Sequence, residues 1–162
     1  MVEDKSVFFR KAKRDEGPFL TDLALRSMGH WPYSAEYLQK CRSVVTVDEA
    51  YFQKWPLWVM EKNGVPVGFH SFLRKDDKAW LEYFWLEPAF IGKGLGRRLF
   101  QHAFGIAQEA GWLPFYILSD PFAMKFYLKM GCRHLGFENS LIYHQMPLPL
   151  LIFPSVSSYE SQ

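Results

Sequence analysis

The sequence is poor in cysteine, in long apolar runs and in any surplus of one charge. Cys41 and Cys132 stand far apart, too few and too distant for a disulfide framework. The opening "MVEDKSVFFRKAKR" begins with acids and has no apolar run of signal-peptide length. No stretch approaches the roughly 20 apolar residues that a bilayer-spanning helix needs. The run 146–153 is apolar but broken by Pro147 and Pro149. With 19 basic and 17 acidic residues, the net charge of +2 is too small to argue for nucleic acid as a partner. His30, His70, His102, His134 and His144 show no metal spacing such as H-x-x-x-H, so no metal is expected. There is no repeat and no Pro/Gly/Ser linker. These absences predict a cytoplasmic protein without membrane or nucleic-acid partners, with one domain over 1–154 and a flexible tail over 155–162.

What is present is a core. Hydrophobic residues make up 49% of the chain and aromatics 18%, which excludes a disordered chain. Residues 7–12 read as a short strand. Over residues 16–30 the positions Leu20, Leu23, Ala24, Ser27 and Met28 form one largely apolar helical stripe, with Pro18 in its first turn. "SAEYLQKC" opens on Ser34, a good N-cap, and "VDEAYFQKW" offers Asp48 as another. Then the period changes. "LWVMEKNGVPVGFHSFLRK" is two β-runs around Asn63-Gly64, a strong hairpin signal. "AWLEYFWLEP" is a longer strand stopped by Pro88. Leu95, Leu99, Ala103, Ile106 and Ala110 predict one face of a helix ended by Gly111. "LPFYILS" reads as a buried strand, and "DPFAMKFYLKM" as a helix capped by Asp120 and stopped by Gly131. Two strands follow, near 133–137 and 145–153. The class is α/β or α+β, a mixed sheet with helices on both faces.

The segment "IGKGLGRRLF" stands out. Three glycines at alternate positions, Gly92, Gly94 and Gly96, lie between a strand and a helix. Free N–H groups and the positive end of the helix dipole make such a turn an anion site, and Lys93, Arg97 and Arg98 add charge. The Walker A pattern fails, because Gly94 follows Gly92-Lys93 where Ser or Thr is required. The dinucleotide fingerprint fails at position 97, which is arginine. A tight turn without a ligand remains open on these residues alone.

A third pattern fits. "WLEPAFIGKGLGRRLFQHA" resembles the acyl-CoA-binding segment of the GNAT N-acetyltransferases, [Q/R]-x-x-G-x-[G/A], with Gly94 and Gly96 at the small positions. Ile91 stands where Gln or Arg is usual. "DPFAMKFYLKMGCRHLG" resembles the family's N-x-x-A-x-x-F-Y-x-K-x-G-F, with Ala123, Phe126, Tyr127, Lys129 and Gly131 in register. Asp120 replaces Asn and Cys132 replaces Phe. The resemblance extends more loosely over about residues 7–153 and implies a centrally splayed sheet of about six to seven strands.

The resemblance implies a site and a reaction. Acetyl-CoA is the expected co-substrate, lying between two parallel strands that end near Leu86 and Ser119. Its pantetheine arm would pair with backbone at Phe84, Trp85 and Leu86. Its pyrophosphate would rest on the amides of Ile91, Gly92, Lys93, Gly94, Leu95, Gly96 and Arg97, with Asp120 also at the cofactor. The amide near Phe84 would steady the oxyanion. An amine, of a small molecule or a protein, would attack the thioester directly, with Tyr127 protonating the departing thiolate. Tyr127 as a packed aromatic is the alternative. Glu82, on the face of Trp80 and Phe84 by strand alternation, is either a base acting through water, an acceptor-binding carboxylate or a solvated edge glutamate. Some relatives place a carboxylate two residues earlier, where this chain has Trp80. His70 and His144 are weaker bases, His102 reads as a surface residue and Cys132 as a buried structural thiol. Trp31, Tyr33 and Tyr37 lie where the family sets acceptor choice, or else pack the core. The rival to an enzyme is a non-catalytic acyl-CoA-binding module, which Ile91 and the missing carboxylate at position 80 leave open. A homodimer through the last strand is a further possibility.

Overall fold

The computed structural model describes residues 6–140 and 146–155. The chain begins with β1 (Val7–Lys11), a 3₁₀ turn (Arg14–Glu16) and α1 (Gly17–Met28). Pro18 sits in the first turn of α1, and the expected stripe Leu20, Leu23, Ala24, Ser27 and Met28 is its buried face. α2 (Ala35–Val45) starts at Ser34, whose hydroxyl accepts from the Tyr37 N–H at 3.1 Å. It runs past Cys41 because Tyr37, Cys41 and Val45 continue one buried row at a spacing of one turn. α3 (Glu49–Lys54) is capped by Asp48, which accepts from the Tyr51 N–H at 2.9 Å.

β2 (Leu57–Lys62) and β3 (Val65–Lys75) meet at Asn63-Gly64, both at positive φ (52° and 79°), as a type I′ hairpin turn requires. β3 passes to β4 (Lys78–Leu86) through a second two-residue turn, Asp76-Asp77, with φ of 55° and 59°. That turn has no glycine, so its composition does not mark it. Asp reaches the left-handed region by bonding its own backbone locally.

After β4 come a 3₁₀ turn (Pro88–Phe90), the glycine turn, α4 (Leu95–Ala110), β5 (Phe115–Leu118), a 3₁₀ turn (Pro121–Ala123), α5 (Met124–Lys129), β6 (Arg133–Asn139) and β7 (Pro147–Phe153). Among the described residues, seven strands form one sheet in the order β1-β2-β3-β4-β5-β7-β6. β4 and β5 are parallel, and their ladder holds only two pairs, Ala79 with Phe115 and Trp80 with Tyr116. That short ladder is the splay that was expected. β7 lies between β5 and β6, antiparallel to both.

The buried row of α4 differs from the expected one. Leu95, Leu99, Phe100, Ala103 and Ala107 are buried, whereas Ile106 is half-buried and Ala110 exposed. The row follows the i, i+4 line instead of turning back to 106 and 110. His102, expected at the surface, is half-buried, and desolvation lowers its pKa. Gly111 ends the helix at φ 74°.

The chain divides into two compact units. One comprises Met1–Ser71 and Tyr83–Leu99, the other Phe72–Glu82 and Phe100–Gln162. In the first, Val7, Met60, Val67, Leu86, Leu95 and Leu99 form one core cluster. In the second, Phe100 packs against Phe115 and Phe153 at ring distances of 6.2 and 5.6 Å. Of the expected tail over 155–162, residues 156–162 lie outside the described residues, as does His144.

Candidate active site

The glycine turn belongs to the first unit. Gly92 and Gly94 take φ of 80° and 88°, left-handed values that favour glycine. A Cβ at either position would meet nothing within 4 Å, so the demand is conformational and not steric. α4 begins at Leu95, and the amides of Leu95, Gly96 and Arg97 are the ones a helix start leaves without intrahelical partners. Lys93 and Arg97 are exposed and Arg98 is half-buried. Ile91 packs with Phe90 against the Val7–Leu99 cluster. Its side chain anchors the turn, so only its backbone is left to a ligand. That accounts for an apolar residue at a position where the family has a polar one.

The strand end that leads into this turn is held from two sides. Leu86 donates its N–H to Ser27 Oγ of α1 at 3.3 Å, and Glu87 donates to the Val67 carbonyl at 2.7 Å. The Glu87 carboxylate also takes both Arg26 Nε, at 3.1 Å, and Arg26 Nη2. Buried residues alternate at Ala79, Leu81 and Tyr83, then resume at Leu86. The phase therefore slips by one residue across Phe84-Trp85, which re-aims the backbone there. Gly68 of β3 lies opposite this slip. A Cβ on it would stand 3.0 Å from the Trp85 carbonyl oxygen and 3.1 Å from Leu86 Cδ1. The sequence placed Ser27 only in the helical stripe of α1 and did not mark Gly68. A glycine inside a strand was the available signal for Gly68. Phe84 turns its ring onto the core cluster, so that residue too offers a ligand only its backbone.

Tyr127, Asp120 and Glu82 belong to the second unit. The Asp120 carboxylate accepts from the Phe122 N–H at 2.9 Å and so caps the turn before α5. Tyr127 is buried, with its ring 5.4 Å from Phe126 and 6.3 Å from Phe100. Burial first, then the nearby Cys132 and Asp120, push its phenol pKa upward, so it keeps its proton at every ordinary pH. Cys132 is buried, and desolvation pushes its thiol up to about 12. A thiol that holds its proton so firmly is no nucleophile. Glu82 is reached by solvent, yet protein crowds its carboxyl, and desolvation raises its pKa, opposed by Lys75. The Trp80 indole Nε1 is buried without a hydrogen-bond partner among the described residues. His70 is fully buried in β3, out of reach of a substrate. Tyr37 is buried and stacks on Tyr33 at 4.7 Å, and Trp31 meets His30 edge-on at 4.7 Å. No group of three or more His, Cys, Asp or Glu side chains is placed to hold a metal among the described residues, and no helix there is long and apolar enough to cross a membrane.

Strand, glycine turn and helix follow in this order within one mixed sheet. The chain belongs to the acetyltransferase (GNAT) family, whose model matches residues 23–132, more than half of it. Solved structures share the fold at low identity. The PaiA N-acetyltransferase of Thermoplasma acidophilum, in complex with coenzyme A, superposes with a TM-score of 0.73 at 17% identity, over 93% of this chain and 99% of that one. A GNAT acetyltransferase from Elizabethkingia anophelis with acetyl-CoA bound gives 0.67 at 14% identity, over 94% and 100%. The ribosomal-protein-S18-alanine N-acetyltransferase of Escherichia coli gives 0.65 at 16% identity, over 91% and 93%. No curated protein sequence matches the chain.

Proposed function

We propose that this protein transfers an acetyl group from acetyl-CoA to a primary amine. The observation that carries the reading is the glycine turn, where left-handed Gly92 and Gly94 open α4 after β4 and its short 3₁₀ turn. Backbone N–H groups of residues 91–97 would hold the pyrophosphate, since a turn of this kind favours anions. Backbone at Phe84, Trp85 and Leu86 would pair with the pantetheine arm, and Asp120 would keep its turn in place beside the cofactor.

The amine nitrogen attacks the thioester carbonyl, a C–N bond forms and the C–S bond breaks. The nitrogen gives up a proton to Glu82, directly or through water, and the departing sulfur takes one from Tyr127. Solvent then returns a proton to the Tyr127 phenolate and removes one from Glu82. The raised phenol pKa would oppose transfer to a thiol of ordinary acidity. Burial of the departing sulfur would raise its pKa in the same direction. The proposed products are the acetamide and free coenzyme A.

The burial of Tyr127 favours a second reading, a non-catalytic acyl-CoA-binding module in which that ring only packs. Thermal shift and thiol release decide between them. Acetyl-CoA at about 100 times its dissociation constant should add roughly 2.7 kcal/mol of stability, and no shift at millimolar ligand sinks both readings. Release of thiol in the presence of an amine panel identifies the enzyme. Tyr127→Phe should lower kcat by roughly 10²–10⁴ without moving the acetyl-CoA dissociation constant. Unchanged turnover would remove Tyr127 from the chemistry.

A further inference from the structure

The sheet region formed by β5, β7 and the first part of β4 has two unlike faces. On one, Ala79, Leu81, Phe115, Ile117, Leu151 and Phe153 are all at most 8% exposed, with Phe100 and Phe104 of α4 lying on Phe153. On the other, register sets Trp80 beside Tyr116, Tyr116 beside Ile152, and Leu118 beside Leu150. None of these is buried, and Leu118 is 37% exposed. The Trp80 and Tyr116 rings are 5.3 Å apart at 38°, a tilted aromatic floor. Strand alternation puts Glu82 on this same face, two residues beyond Trp80. Lys78 is two residues before it, with its ammonium 5.2 Å over the Tyr116 ring.

The geometry points to this face as the acceptor surface, and to an amine with a flat apolar body, an arylalkylamine, as the acceptor class; the inference rests on the acetyltransferase reading above. Glu82 is the carboxylate that β4 sets beside this floor and draws the substrate's ammonium, while register puts Arg133 and Glu138 of β6 farther out on the same face, opposite Ile152 and Leu148. Lys78 repels that charge from the far side, which leaves Trp80 and Tyr116 to the apolar body. An aromatic floor favours a flat ring over a flexible chain, since ring contacts add to area burial. A polyamine offers charge at both ends and would set one of them against Lys78.

The test is thiol release from acetyl-CoA with phenethylamine and tryptamine against putrescine and spermidine. Arylalkylamines should show at least about a tenfold higher kcat/KM than the polyamines. Trp80→Ala and Leu118→Lys should each raise the phenethylamine KM about tenfold or more, with kcat within a few-fold and the acetyl-CoA KM unchanged. Leu118 is exposed enough that its variant keeps the fold if Trp80→Ala does not. Equal or better turnover of polyamines overturns the inference, as does a phenethylamine KM that neither folded variant moves. A second copy of the chain is the other occupant of an apolar face. Sedimentation showing a dimer that Leu118→Lys dissociates, with the phenethylamine KM unchanged, also overturns it. If acetyl-CoA stabilises the protein and other amines react while arylalkylamines do not, the acceptor class fails and the acetyltransferase reading stands. If acetyl-CoA gives no stabilisation, both fall.

Discussion

Gly94 sits at φ 88° with open space where a side chain would begin, so its substitution strains the backbone without a clash. Gly94→Ala should cost about 1–2 kcal/mol of stability, the penalty of a left-handed non-glycine residue. It should also raise the acetyl-CoA KM, and melting and steady-state kinetics read the two effects separately. At Glu82 the carboxyl is held above its usual range, chiefly by desolvation. Such a group loses its proton only as pH rises through the raised pKa, and a base is active only without the proton. The acid limb of kcat/KM should therefore lie above the ordinary carboxylate value of 4.5. Lys75 lowers this pKa, so Lys75→Met should move the limb to higher pH. A limb that stays in place in Lys75→Met and in Glu82→Gln would take Glu82 out of the reaction.

At the scale of elements, the end of β4 depends on β3 and α1 as much as on its own residues. Gly68 lets the Trp85 carbonyl approach, and Ser27 takes the Leu86 N–H. Gly68→Ala should destabilise the protein by about 1–3 kcal/mol, as overpacking in a tight place does. It should weaken acetyl-CoA binding as well, which calorimetric titration would measure. Much of the element order was legible. Ser34 and Asp48 cap the helices they were expected to cap, and Asn63-Gly64 turns the hairpin, because caps and turns are local chemistry. The Asp76-Asp77 turn and the Phe84-Trp85 phase slip were missed. A turn without glycine has no strong composition signal. A slip in register is set by what packs on both sides of a strand, which no period in a single segment reveals. Periodicity likewise placed α4 but chose Ile106 and Ala110 where Phe100 and Ala107 are buried, because the neighbouring strands decide which edge of the stripe is covered.

At the scale of the whole molecule, stability against acid has an identifiable source. Arg10 on β1 holds Glu16 through two bonds of 2.8 Å, just before α1, and Glu61 on β2 at 3.1 Å. The guanidinium keeps the Glu16 carboxyl below its usual range, while the arginine itself stays charged throughout. A depressed carboxylate contributes stability that is present above its unfolded pKa and is lost as pH falls through the folded one. Unfolding free energy should therefore drop as pH falls below about 4.5, the ordinary glutamate value. That slope should flatten in Arg10→Met, as denaturant melts at several pH values would show. The amino-acid sequence by itself determined the class of fold, the glycine turn, the caps of α2 and α3 and the placement of Tyr127 on a short helix. These follow from local backbone preference and from spacing along one segment. Only the tertiary structure decided that Ile91 anchors the turn through its side chain, that Tyr127 is buried, and that Trp80, Glu82 and Tyr116 share a face with Leu118. Burial and cross-strand register arise from segments distant in sequence, and no single segment encodes them.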